Sequence, residues 1–245
     1  MKRLSLLLAV IVLAVTPALS AHAIVRPNSM GPAPGSQIYY TASLQEKNSV
    51  GQSPHFCGGV LIAPTWVVTA RECTEGRAPE TIAVRIGSRS LTSGGELVTV
   101  SRVVPHPTDD VALIELSERV AAVPAMIAVE PGSAGTQTML LGWGQTCPTR
   151  GCGGPTPELQ VAYSVTEPES ACGVGSEQIC TKYDGGGGPC FGDEGGPLIT
   201  NNATDPRLVG LVPSRGRFGD ECRQGRSALT DLTAVRDWIT QQTGG

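Results

Sequence analysis

Two short runs hold the side chains best suited to chemistry. Cys190-Phe191-Gly192-Asp193-Glu194-Gly195-Gly196-Pro197 sets two adjacent carboxylates among glycines, and Trp66-Val67-Val68-Thr69-Ala70-Arg71-Glu72-Cys73 closes a β-branched stretch on a third acid. Asp110, at the head of Val111-Ala112-Leu113, is a fourth. Two carboxylates brought to about 4 Å repel by roughly 4 kcal/mol at an effective dielectric of 20. A cluster of them is relieved when one takes up a proton, when an arginine or a cation joins, or when side chains turn to water. Paired carboxylates also carry out glycoside hydrolysis, but nothing else in the chain suggests a sugar cleft. Histidine, the commonest general base, occurs only as His22, His55 and His106. Arg215, Arg217, Arg223 and Arg226 crowd one segment, which reads either as a solvated loop or as a pocket for an anion.

Short strands have to position these residues. The 31 glycines and 19 prolines punctuate β-branched runs at Val60 to Ile62, Trp66 to Ala70, Thr81 to Ile86, Leu97 to Val104, Val111 to Leu116, Thr138 to Leu141, Gln160 to Val165 and Leu208 to Val212. The pattern predicts an all-β sandwich or barrel rather than alternating βαβ units. One helix is expected at the end, where Leu232, Val235, Trp238 and Ile239 fall on one face behind Thr230 and Asp231 as caps. Ala121 to Gly135 suits a link between two halves. Asp184 to Pro189 holds four successive glycines and reads as a mobile or closely approached loop.

The chain opens like a secretory leader, with Lys2 and Arg3, an apolar stretch from Leu4 to Val15, and Ala21-His22-Ala23 as cleavage site. Residues 1–23 are expected to leave, taking His22 and exposing Ile24. The apolar stretch is shorter than the roughly 20 residues that span a bilayer, so a secreted, extracellular protein with no membrane partner is expected. Eight cysteines in such a chain imply disulfides. Zinc is the competing use at Cys147-x4-Cys152, yet no histidine stands near. The net charge of −4, more negative once Lys2 and Arg3 leave, argues against nucleic acid or heparin as a partner.

The two runs, taken with several others in order, resemble the trypsin/chymotrypsin-like serine peptidase family. Ile24-Val25 resembles the mature start, His55-Phe56-Cys57-Gly58-Gly59-Val60-Leu61-Ile62 the strand before the general-base strand, and Asp110-Val111-Ala112-Leu113 the strand of the buried aspartate. Gly142-Trp143-Gly144 and Asp237-Trp238-Ile239 match further pieces. The resemblance implies two six-stranded antiparallel β-barrels with a C-terminal helix: barrel one over about 24–127, barrel two over about 128–230, the helix over about 231–241. It pairs Cys57 with Cys73, Cys172 with Cys180 and Cys190 with Cys222, which leaves Cys147 with Cys152. It puts Glu72, Asp110 and Glu194 at the triad positions, so glutamates replace the histidine and the serine. It also implies oxyanion-hole backbone at Gly192 and Glu194, pocket residues Gly188, Ser214, Arg215, Gly216 and Arg226, and an ion pair between the Ile24 amine and Asp193.

Serine-type acyl transfer needs a hydroxyl, a base tuned near neutrality, and an acid that orients the base. Only Asp110 remains of these. Val212-Pro213-Ser214-Arg215-Gly216 also departs from the family's usual Ser-Trp-Gly, and proline removes a backbone donor. The expected function is an inactive homologue, monomeric and without cofactor or metal, that binds a protein, a peptide or a protease inhibitor in the old cleft. The alternative is a hydrolase that uses another nucleophile, or a serine endopeptidase inactivated by design.

Overall fold

The computed structural model describes residues 30–32, 35, 39–47, 55–214, 222 and 225–244. The leader, Ile24, Arg215, Gly216, Arg217 and Arg223 lie outside them.

Two closed antiparallel barrels follow one another along the chain. In the first, β2 (Thr41–Glu46), β3 (His55–Ala63), β4 (Trp66–Thr69), β5 (Ile82–Ile86), β6 (Glu96–Pro105) and β7 (Ala112–Leu116) close in the order β2-β3-β4-β7-β6-β5. In the second, β8 (Gln137–Gly142), β9 (Gln160–Glu167), β10 (Gln178–Tyr183), β11 (Pro197–Thr200), β12 (Leu208–Leu211) and β13 (Arg226–Asp231) close through the β8–β9 pairing, and β1 (Met30–Pro32) adds to β9. Closure leaves no unpaired edge within either ring. Leu44, Leu61, Ile82, Ile86 and Leu113 are among the side chains filling the first barrel. Leu140, Ile179, Leu198, Val209 and Leu229 fill the second. Each such side chain contributes about 1.5–3 kcal/mol on burial, whereas one hydrogen bond nets about 1 kcal/mol. The cores hold the scaffold, so residues in the cleft can change without loss of the fold.

Helix α1 (Arg236–Thr243) starts later than its apolar spacing predicts. Thr230 and Asp231 do not cap it; both lie in β13, paired with β12. Asp231 Oδ1 instead accepts from Thr233 N–H at 2.8 Å and from the Thr233 hydroxyl at 2.7 Å, forming a polar turn ahead of the helix. Ile239 is buried, and Trp238 meets the His106 ring edge-on at 4.6 Å. Disulfides join Cys57 to Cys73, Cys147 to Cys152, Cys172 to Cys180 and Cys190 to Cys222.

Candidate functional site

The loop from Cys190 to Gly196 is pinned from both barrels. Gly58 N–H on β3 donates to Glu194 O at 2.7 Å, Gly195 N–H to Val212 O at 2.8 Å, and Gln145 N–H to Phe191 O at 2.8 Å. Gly192 has φ +97°, a backbone state that favours glycine. The two acids of the loop then go separate ways. Asp193, with no exposed surface, accepts Gly144 N–H at 2.8 Å on Oδ1 and Cys190 N–H at 2.9 Å on Oδ2. Burial still pushes its carboxyl up to about 7, against the pull of those two bonds. Glu194 is equally buried, and its Oε2 accepts the Gly192 N–H at 2.7 Å.

Asp110 keeps its place at the end of the barrel-one strands. Its carboxylate accepts Arg71 N–H at 3.1 Å and Ser214 N–H at 2.7 Å, and the Ser214 hydroxyl donates to it as well. Ser214, expected only as a pocket residue, therefore also orients this acid. Glu72 sits half-buried in the short 3-10 turn Arg71–Cys73 after β4. Glu72 and Asp110 share a cleft of about 760 Å³ with Glu75, Asp109, Glu177 and Asp231, and Arg71 is the one lysine or arginine in its described walls.

Glu194 is not among the walls of the cleft; a backbone amide takes its carboxylate. Arg226 and Arg71 are engaged elsewhere. Arg226 is half-exposed and paired with Glu167, to which it donates from Nε and, at 3.2 Å, from a terminal guanidinium nitrogen. That hydrogen bond holds the Glu167 carboxyl below its usual value. Arg226 is thus no part of an anion pocket facing Glu194. Arg71 turns to Glu75 at 3.0 Å and to His106 O at 3.2 Å. Gly188 is buried within the glycine-rich loop, so close approach rather than exposure describes its surroundings. Arg215, Gly216, Arg217, Arg223 and the Ile24 amine lie outside the described residues. Among the described residues no group of three or more histidine, cysteine or acidic side chains is placed to share a metal ion.

His55 has a role that its sequence position hid. It is buried, and burial lowers its imidazole to about 4, so it is neutral. Its Nε2 lies 2.8 Å from Gly192 O, a pure acceptor, and therefore carries the proton. Nδ1 then accepts from the Ser43 hydroxyl at 2.8 Å, and Ser43 in turn accepts from Gln45 Nε2 at 3.1 Å. A polar chain from β2 thus ends on the carbonyl of the residue whose N–H meets Glu194. The signal was Thr41, Ser43 and Gln45 at every second position of one strand. His106 stays on the rim, where Asp109 N–H donates to its Nδ1 at 3.0 Å.

Comparisons with known proteins agree with this architecture. The family model described as Trypsin matches residues 29–239. Trypsin 5G1 of Aedes aegypti is 32% identical over 235 residues, covering 86% of this chain and 82% of that protein. A trypsin of Phaedon cochleariae is 32% identical over 221 residues, covering 77% and 79% respectively. Among solved structures, human heparin binding protein superposes with a TM-score of 0.70 at 24% identity, over 86% of this chain and 94% of that one, which supports the fold. With the family model spanning most of its length and two paired barrels beneath it, the chain belongs to the trypsin family.

Proposed function

We propose that this trypsin-family chain is a secreted, non-hydrolysing member that binds a protein or peptide in the old substrate cleft. The observation that carries the reading is the 2.7 Å bond from Gly192 N–H to the buried Glu194 carboxylate. The nucleophile position offers no hydroxyl, and the amide that would polarise a bound carbonyl is engaged. Glu72 at the base position leaves Asp110 with no imidazole to orient. Loss of the triad as a unit costs on the order of 10⁶ in turnover, with about 10³–10⁴ over water left from the oxyanion hole and binding. Here one of the two amides of the first remnant is engaged as well.

The cleft bears on the partner. Its acidic walls favour a segment carrying lysine or arginine. They do not suit a polyanion such as the heparin named for the solved neighbour.

The test is hydrolysis of peptide and ester substrates together with labelling by a serine-directed organophosphorus probe. Neither is expected from the wild-type chain. Stoichiometric labelling that disappears on unfolding would restore the enzyme reading. The double variant Glu72→His/Glu194→Ser is expected to stay poor, because Pro213 and the acidic cleft remain. Full rescue would point to a peptidase inactivated by design.

A further inference from the structure

Both backbone polar groups of Gly192 are directed. Its carbonyl accepts from neutral His55 at 2.8 Å, and its N–H donates to Glu194 at 2.7 Å. The main chain on either side is tied down. Gly58 holds the Glu194 carbonyl, Val212 takes the Gly195 N–H, and Gly196 N–H closes on Asp193 O at 2.8 Å. A Cβ on Gly195 would lie 2.2 Å from Thr69 Oγ1, and one on Gly58 would lie 2.7 Å from the Gly196 backbone. With so little freedom around it, the Gly192 amide has to keep its direction when the side chain opposite is shortened.

We infer that Glu194 is an internal ligand: its carboxylate occupies an anion-binding backbone site formed by the loop itself, so a partner in the cleft binds without that site, and shortening Glu194 turns the loop into a receptor for a small external carboxylate. This deepens the binding reading above, because it removes the carbonyl-in-the-hole mode from the ways a peptide or inhibitor loop can dock. The competition is unequal. A tethered group acts at an effective concentration on the order of millimolar even on a flexible linker, and more when held rigidly. A charge-assisted N–H bond to carboxylate is also stronger than one to a neutral carbonyl.

The experiment follows the Gly192 amide by ¹⁵N NMR in the wild type and in Glu194→Gly while sodium acetate is added at constant ionic strength. In the wild type the amide should be protected from exchange and unmoved by acetate. In Glu194→Gly it should shift saturably, with acetate affinity at least about tenfold above the wild type, and chloride should not reproduce the shift. Loss of protection in the wild type would overturn the inference. So would a folded Glu194→Gly, judged by unchanged Gly58 and Gly195 amides, that takes no acetate. Should that variant fail to fold, the wild type still decides: the Gly192 amide shift must titrate with the same midpoint as the Glu194 carboxyl carbon, and independent midpoints would sink the contact. The readout needs neither hydrolysis nor a partner: its failure would remove the engaged amide from the reading above but leave the missing hydroxyl at Glu194 and the missing imidazole at Glu72, whereas hydrolysis or probe labelling would sink that reading and leave this contact in place.

Discussion

Asp193 is the buried charge that the site has to balance. Folded, its carboxyl holds a proton up to about 7; unfolded, it releases it near 3.8. The native state therefore binds the extra proton between those values, and stability from this group falls as pH rises through them. A cation beside it would lower the folded value and remove that loss. The mature Ile24 amine is the cation we propose. The chain beginning at Ile24 is expected to hold its stability from pH 5 to pH 7, while the same chain N-acetylated loses about 2 kcal/mol across that window. His55 does not disturb the comparison. Lowered from 6.5 to about 4, it costs stability as pH falls through that range, equally in both chains. Urea midpoints that coincide at every pH would eliminate the ion pair.

At the scale of elements, β3 and the loop before β11 meet with no space for a side chain. A Cβ on Gly58 would stand 2.7 Å from both N and Cα of Gly196, and backbone cannot yield as a flexible side chain does. Gly58→Ala is expected to cost about 1–3 kcal/mol and to speed amide exchange at Gly192. Gly154→Ala, with nothing within 4 Å of its Cβ, should stay within about 0.5 kcal/mol. Equal urea melts for the two variants would show that this approach does not hold the loop. The strands were unevenly legible for a related reason. Apolar runs such as Val111 to Leu116 and Leu208 to Val212 announced β7 and β12. The strand β2 did not announce itself, because Thr41, Ser43 and Gln45 are buried along with Ala42 and Leu44, so polarity there does not mark the solvent side. Polar residues likewise concealed β10 and β13, and β11 has only four residues.

On the scale of the molecule, the cleft joins acids from both barrels. Glu72, Asp109 and Asp110 come from the first, and Glu177 and Asp231 from the second. Their summed field draws cations over a longer range than any one pair, and salt screens it over a Debye length of about 10 Å at 0.1 M. A lysine- and arginine-bearing peptide is expected to bind more weakly as salt rises. Glu72→Gln/Glu177→Gln is expected to flatten that dependence. Fluorescence anisotropy across a salt series checks it, and a slope unchanged in the double variant would place the peptide elsewhere.

The sequence by itself determined the family, the two-barrel class and the lack of a hydroxyl at position 194, because each of these rests on which residue type stands at which position. A glutamate has no hydroxyl wherever it points. Tertiary structure alone decided where the charges go. Nothing in the order of residues says that Glu194 turns back onto the amide two positions before it, since that depends on a positive φ at Gly192 and on strands far away in sequence holding the loop. The same holds for Arg226, which meets Glu167 across 59 residues because β10 lies between their strands and sets their registers. It holds again for His55, whose proton is fixed by a carbonyl 137 residues on. Hydrogen bonds are short and directional, so their partners are known only once the barrels have closed.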